Sequence, residues 1–387
     1  MISSPSLDMG LDEGFSKHLV DATMFWNPSG GVHRYIVAKH RWTLRHTSWR
    51  HTIATPMPDG PDQLIVPSVP LPGSHGDYRL PLRRAEAARR LRAARPDLIE
   101  AADPYRLAWA ALDAAQALGV PAIAFCHSNL EQVAATLWAG PGAALAQRAA
   151  RRYAAHLYRH FDLVLAPSRA MADHLREWGV AEVAHQPLGV DTSAFHPCMR
   201  SAEWRATLGL PPGARLLIFA GRFAPEKNLA TLCEAVHRLG PRYWLLAIGA
   251  GPRPPAGERV IVLPPAQHTS TLATALASAD VFVHAGTHET FGLAVLEAMA
   301  CGVPVAVRQI EGLAELVDAS VGQGATGDTA ADFANAIVDV FERGPERLGL
   351  AARRRSEQFD WDQVFPRLWD HYANVLGKST PVATPAG

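Results

Sequence analysis

From Arg215 onward, strand-sized apolar runs alternate with segments of helical periodicity, a pattern that predicts a parallel sheet covered by helices. RLLIFAG is followed by the helical NLATLCEAVHRLG, then by YWLLAIGAG and RVIVLP, the helical STLATALASA, VFVHA, the helical GLAVLEAMACG and VPVAV. The first half repeats the theme less cleanly. Its elements are HLVDATMFW, a helix from Val32 to His46, HTIATP, a helix over Leu82 to Ala94, DLIEAAD, a helix over Ala108 to Leu118, PAIAFCH, a helix from Pro141 to His160, and LVLAPS. Pro197 and the polar stretch around it, in FHPCMRSAEW, are expected to separate the halves, giving one unit at 1–197 and another at 198–360. After Thr329 the pattern is wholly helical. It ends in WDQVFPRLWDHYANVL and a Pro-, Thr- and Gly-containing tail, a last segment at 361–387 whose end is expected to fray.

Composition narrows the function. The chain has 387 residues and 48% hydrophobic content, enough for the core of two such units. Its 37 basic residues are matched by 37 acidic ones, so the basic excess of a nucleic-acid binder is missing and no nucleic acid partner is expected. The amino terminus lacks a basic region followed by an apolar one, and no run of 18 uncharged apolar residues occurs, so a cytoplasmic location is expected. Cys126, Cys198, Cys233 and Cys301 lie far apart without a C-x-x-C pair. They are expected to be reduced, mostly buried thiols, not zinc ligands or disulfides.

The most informative segment is HETFGLAVLEAMACGVPVAV, from His288. Thr290 suits a helix cap, Phe291 to Ala300 a short helix, and Gly302 its left-handed stop. Glu289 then sits just outside a helix amino terminus whose unpaired N–H groups and positive dipole favour a phosphate. Glu297, two turns further on in an apolar helix, needs a polar partner such as a ribose. An acid favouring the dipole plus one solvated glutamate fits the same segment. AGRFAPEKNL follows a strand end, where ligands bind in open α/β sheets, and places Arg222 and Lys227 as a candidate diphosphate clamp. Gly249 and Gly251 in IGAGP, and Gly30 and Gly31 in NPSGGVHRY, allow close backbone approach to a ligand and equally fit ordinary turns. His127 ends the strand-like PAIAFCH at the same edge, as a site residue or a structural one.

Together these residues resemble the retaining GT-B glycosyltransferases of family 4, over nearly the whole chain. Glu289 and Glu297 fall on that family's paired glutamates, GRFAPEKNL looks like its diphosphate site, and SGGVHRYI like its amino-terminal glycine loop. APSRAM and PLGVDTSAF match two further landmarks, with Leu188 where an Asn is common. The resemblance implies two Rossmann-like domains whose parallel sheets face across a cleft, with a C-terminal helix crossing back to the first. The first domain would bind the acceptor and the second the nucleotide-sugar donor. It implies that Arg222 and Lys227 neutralise the nucleotide diphosphate and Glu289 holds donor-sugar hydroxyls. Glu297 would bind the ribose, the amides of Phe291, Gly292 and Leu293 the phosphate, Gly31 the sugar-phosphate, and His127 would face the reacting sugar. No cofactor and no metal are implied, because the nucleotide-sugar is a substrate and the departing diphosphate is stabilised by fixed cations and a helix end.

The implied function is transfer of a hexose, with retention, to a lipid or saccharide acceptor. A sugar-nucleotide epimerase, a glycoside phosphorylase and a non-catalytic nucleotide-sugar scaffold are the alternatives. A dehydrogenase is disfavoured because no G-x-G-x-x-G follows a strand. Asp360 and Asp362 in FDWDQ form a D-x-D, yet open a helix, where Asp is favoured. LGKST, with Lys378, lacks the upstream glycine of a phosphate loop, Tyr372 standing there. On the Pro141–His160 helix, Arg148, Arg151, Arg152 and Arg159 share a sector of about 100°. That face fits peripheral contact with an anionic membrane, and also a solvated face over a core.

Overall fold

The computed structural model describes residues 15–26, 30–57, 62–70, 79–137, 140 and 142–378. The tail expected to fray, from residue 379, and Pro141 lie outside the described residues. In the first half the strands are β1 (Lys17–Ala22), β2 (Trp49–Thr55), β3 (Gln63–Ile65), β4 (Ser68–Pro70), β5 (Arg79–Pro81), β6 (Leu98–Ala101), β7 (Ala122–Phe125), β8 (Leu163–Ala166) and β9 (Val183–His185). Between them run α1 (Gly31–His46), α2 (Arg84–Ala93), α3 (Arg106–Leu118), α4 (Leu130–Leu137), α5 (Ala143–Tyr158) and α6 (Arg169–Glu177). Seven strands form a parallel sheet in the order β3-β2-β1-β6-β7-β8-β9, while β4 and β5 pair antiparallel to one side.

After a short helix α7 (Ala202–Ala206), the second half carries β10 (Arg215–Ala220), α8 (Leu229–Leu239), β11 (Tyr243–Ile248), β12 (Val260–Leu263), α9 (Thr269–Ala277), β13 (Val281–His284), α10 (Leu293–Ala300), β14 (Val305–Arg308), α11 (Glu311–Leu316) and β15 (Gly322–Ala325). These strands form a second parallel sheet, β12-β11-β10-β13-β14-β15. The chain closes with α12 (Ala330–Glu342), α13 (Pro345–Glu357) and α14 (Trp361–Lys378). This is the α/β arrangement the alternating pattern predicts.

Each central strand is apolar on both faces because helices cover both. On β10, Leu216, Ile218 and Ala220 pack into the core shared with α14, whereas Leu217 and Phe219 pack under α8 and α12. Four Cys residues carry free thiols, as expected, but only Cys126 and Cys301 are buried; Cys198, beside the linker, is exposed.

The C-terminal helix crosses back through an aromatic cluster. Trp361 and Phe365 stack at 4.8 Å, and Trp369 lies 4.8 Å from Trp42 of α1. Beneath it is a cluster of buried charges. Lys39 Nζ, fully buried, lies 2.7 Å from both Asp21 of β1 and Glu100 of β6, and donates to the Tyr372 hydroxyl of α14 at 3.1 Å. Tyr372 in turn donates to Glu100, and Tyr35 does so at 3.2 Å. His51 Nε2 meets the second Asp21 oxygen at 3.0 Å. Burial alone would raise the Asp21 carboxyl, but Lys39 and His51 more than offset it and hold it below its usual range. Glu100 is pushed up, by burial and by its neighbour Asp21, against the pull of Lys39.

Asp360 of the D-x-D accepts from the Thr192 amide at 3.1 Å, the Thr192 hydroxyl at 2.5 Å and the Asp362 amide at 2.9 Å. It closes the start of α14. Arg159 leaves the expected basic face as well: its guanidinium donates to the Trp178 and Gly179 carbonyls at 3.1 and 2.9 Å, satisfying the end of α6.

Removing the cation from a buried charge cluster leaves uncompensated carboxylates. Lys39→Met is therefore expected to lower stability by about 3–5 kcal/mol in urea unfolding; a loss under about 1 kcal/mol would contradict the pairing.

Candidate functional site

The two halves meet along the carboxyl ends of their sheets, and each half offers a helix start there. Helix α1 begins at Gly30–Gly31 and α10 at Gly292, and among the described residues neither has a side chain capping its first amides. A Cβ on Gly31 would stand 3.0 Å from Leu293 Cδ1, so the two helix starts lie against one another across the cleft. Opposed, uncapped N-termini give unpaired N–H groups and positive dipole ends, the local chemistry that holds a phosphate.

The start of α10 differs from the sequence expectation. Thr290 is not its cap. Gly292 is, at φ +104°, and the helix runs from Leu293 instead of Phe291. The Thr290 hydroxyl is used elsewhere: it donates to the His127 carbonyl of the first half at 3.1 Å. Phe291 is buried and faces Phe359, their ring centroids 6.0 Å apart. Gly302 ends the helix at φ +72°, as expected.

Glu297 is 3% exposed on a helix whose neighbouring residues Leu296 and Ala298 are fully buried. Its carboxylate finds a cation in Arg34 of α1, at 2.8 Å and 3.1 Å from its two oxygens. Burial still raises this carboxyl above its usual range against the pull of Arg34. Arg34 lies within the glycine-loop stretch SGGVHRYI, but its partner is 263 positions away, beyond any local signal.

The Glu289 carboxylate is held from two elements. It lies 2.5 Å from Lys227 Nζ and 3.3 Å from His284 Nε2. Lys227 ends the single turn Pro225–Lys227, where Asn228 adopts a left-handed φ of +50° before α8. That turn is tied to the glutamate loop by Thr287, whose amide donates to the Glu226 carbonyl at 2.8 Å. His284, buried at the end of β13, accepts from the Gly286 amide through Nδ1, so Nε2 carries the proton and donates to Glu289. Burial pushes the Glu289 carboxyl up, yet Lys227 and His284 outweigh it and leave it well below the usual range. His284 has the same strand-end position as His127, a parallel that could have drawn attention to it in the sequence.

Arg222 does not join Lys227. Its side chain is 69% exposed and pairs with Glu226 at 2.8 Å. Gly249 and Gly251 serve the neighbouring loops: a Cβ on Gly249 would collide with the Gly221 carbonyl, and one on Gly251 with the Phe223 backbone. Close approach of two chain segments at the strand ends thus accounts for both glycines without a ligand.

His127 stacks on Phe125 at 4.2 Å and meets the edge of Tyr35 at 5.1 Å. Burial, helped by the charge of Lys39, lowers its pKa to about 3, so the ring is neutral at physiological pH. Its Nε2 and the Arg34 Nε are buried without a hydrogen-bond partner among the described residues. A buried polar atom without a partner calls for one, and a polar ligand in the cleft would supply it. A separate cavity of about 490 Å³, lined by residues including Cys233, His237, Arg253 and Arg259, lies between α8 and the loop before β12.

Residues 29–194 match the family model described as Glycosyltransferase Family 4, and residues 214–343 match Glycosyl transferases group 1. The chain is 35% identical to a GDP-mannose-dependent alpha-mannosyltransferase of Mycolicibacterium smegmatis, over 74% of this chain and 76% of that one. It is 32% identical to a GDP-mannose-dependent alpha-(1-6)-phosphatidylinositol dimannoside mannosyltransferase of Mycobacterium tuberculosis, over 77% and 80%. In structure it superposes on sucrose-phosphate synthase from Thermosynechococcus elongatus with a TM-score of 0.77 at 20% identity, covering 93% of this chain and 99% of the other.

A carboxylate with a depressed pKa contributes stability that is present above its unfolded value of about 4.3 and lost as pH falls toward the folded one. Glu289→Gln is therefore expected to unfold at lower urea than the parent at pH 7, with the gap narrowing steadily below about pH 4. A gap that is constant or widens toward acid would contradict the pairing with Lys227.

Proposed function

Because the chain belongs to glycosyltransferase family 4, we propose that it transfers a mannosyl unit from GDP-mannose to a lipid-linked acceptor, with retention of configuration. The observation that carries this reading is the meeting of two uncapped helix starts with Lys227 and Glu289 at one point of the cleft. The names of the relatives support the donor base, the sugar and the lipid.

In this reading the diphosphate lies between the starts of α1 and α10, at Gly30 and Gly31 on one side and the amides of Phe291, Gly292 and Leu293 on the other. Lys227 neutralises its charge, and Arg222 exchanges Glu226 for phosphate when donor arrives. Glu297 takes the ribose hydroxyls beside Arg34, and Glu289 takes the mannose hydroxyls. His127, neutral and with a free Nε2, hydrogen-bonds the reacting sugar or acceptor. The bond between the anomeric carbon and the phosphate oxygen breaks while the acceptor oxygen adds on the same face, and the acceptor proton passes to the departing phosphate. Glu289 is committed to Lys227 and His284 and serves as an electrostatic partner, not a nucleophile. The charge that develops on the diphosphate is met by groups already in place, which is where such a site lowers the barrier most. No metal is needed in this scheme, so the rate should be unchanged in EDTA.

No helix among the described residues is long and apolar enough to cross a membrane. Exposed Arg148, Arg151 and Arg152 on α5, beside Leu145 at 68% exposure, form the surface we assign to an anionic bilayer holding the acceptor.

The test is GDP release from GDP-mannose with and without a phosphatidylinositol mannoside. Acceptor-dependent release is expected, with kcat reduced about 100-fold in Lys227→Ala while the variant keeps a native circular-dichroism spectrum at the assay temperature. Turnover without acceptor would favour an epimerase, dependence on inorganic phosphate a phosphorylase, and donor binding without turnover a scaffold.

A further inference from the structure

Glu311 opens α11 at φ +42°, one of four positive-φ residues other than glycine among the described residues. A side chain in this region strains the backbone, and a glycine would relieve it. The strain coincides with a set of contacts that only a long acceptor side chain can make. One Glu311 oxygen accepts the Glu289 amide at 2.9 Å, and the other accepts from Gln132 Nε2 on α4 of the first half. The next residue, Gly312, donates its amide to the Glu289 carbonyl at 3.2 Å. One turn later Glu315 accepts the Ala170 amide, at the start of α6, at 2.9 Å.

Glu289 is thus gripped twice. Lys227 and His284 hold its carboxylate, while Glu311 and Gly312 hold both polar groups of its backbone. All four groups that hold it belong, with Glu289 itself, to the second half; the link onward, from Glu311 to Gln132, is the part that reaches the first. Gln132 is well placed for this, because its own amide is fixed by the Asn129 side chain at 3.3 Å, at the start of α4. Asn129 follows His127 by two residues, so the segment that carries His127 also carries the far end of the link.

We propose that Glu311 is a positioning residue that transmits the placement of the His127 segment, through Gln132, to the backbone of Glu289. Glu311 itself touches neither donor nor acceptor. The chemical consequence is that the sugar-binding carboxylate takes its final position only when the first half is seated against it. This inference rests on the transferase reading for its catalytic meaning, and on the hydrogen bonds alone for its mechanical one.

The experiment separates the two. Hydrogen exchange of the full-length protein, followed by mass spectrometry, should show faster exchange in the 288–292 segment of Gln132→Ala than in the parent, although the substitution lies in the other half. For catalysis, Gln132→Glu places two carboxylates together and should lower kcat about tenfold with donor KM within about twofold. Adding Glu311→Gln to it exchanges donor and acceptor across the pair, keeps an oxygen for the Glu289 amide, and should restore most of the rate. Glu311→Gly relieves the backbone and should leave the melting temperature unchanged or higher while still losing kcat. Unchanged exchange in Gln132→Ala, no rescue in the double variant, or parental kcat in Glu311→Gly would each overturn the proposal. A parent with no transfer activity would overturn the transferase reading and leave the exchange result to decide the coupling by itself.

Discussion

A buried carboxylate on an apolar helix has to be paired, and in this protein the pair is made across the cleft. Glu297 sits among fully buried neighbours on α10, and the cation that meets it, Arg34, comes from α1 of the opposite half. That ion pair fixes the start of α1 against the start of α10, which is why Gly31 faces Leu293. Neither helix start has a side-chain cap among the described residues, so the contact brings together two helix N-termini, the kind of feature suited to a diphosphate. In the proposed reading, Lys227 and the glutamate loop then complete a site that neither half contains alone.

The position of Arg34 is itself determined from behind. Tyr35, the next residue of α1, and Lys39, just over a turn further on, join the buried cluster with Asp21 and Glu100, and Tyr372 brings in the last helix of the chain. The C-terminal helix therefore does more than cover apolar surface. It supplies a hydroxyl to the charge cluster that sets the rotation and height of α1, and hence the reach of Arg34 into the cleft. Hydrogen bonds from Thr290 to the His127 carbonyl and from the Ala170 amide to Glu315 add two further ties between the halves.

Strands buried on both faces announce themselves as apolar runs, so both sheets could be read from the chain, and the segments that flank the cleft could be ranked. What was not legible depended on partners distant in sequence. β15, with the sequence GQGA, has no β-branched or aromatic residue to mark it, whereas α4 does carry a start signal, Asn129, whose side chain accepts from the Glu131 and Gln132 amides, but is only eight residues long. Thr290 looked like a cap because its residue type suits one; its hydroxyl was instead needed 163 positions away. Gly249 and Gly251 fit a ligand or a turn by residue type alone, and the close crossing of two loops is what the structure places at them. The Lys39 cluster left a faint trace in Asp21 and Glu100, acids in the middle of apolar strands, where only a buried partner makes them tolerable. Arg222 was the reverse case, a residue whose motif pointed to the site while its side chain pairs with Glu226 at the surface.

The central claim is that one diphosphate sits between two helix starts from different halves. A crystal structure of the protein with GDP tests it most directly. The account predicts the β-phosphate within hydrogen-bond distance of the Gly292 and Leu293 amides and of Lys227 Nζ, with the Gly31 amide on its other side and the ribose at Glu297. Nucleotide bound elsewhere, for example in the cavity between α8 and the loop before β12, or held by the second half with no approach to Gly31, would contradict it.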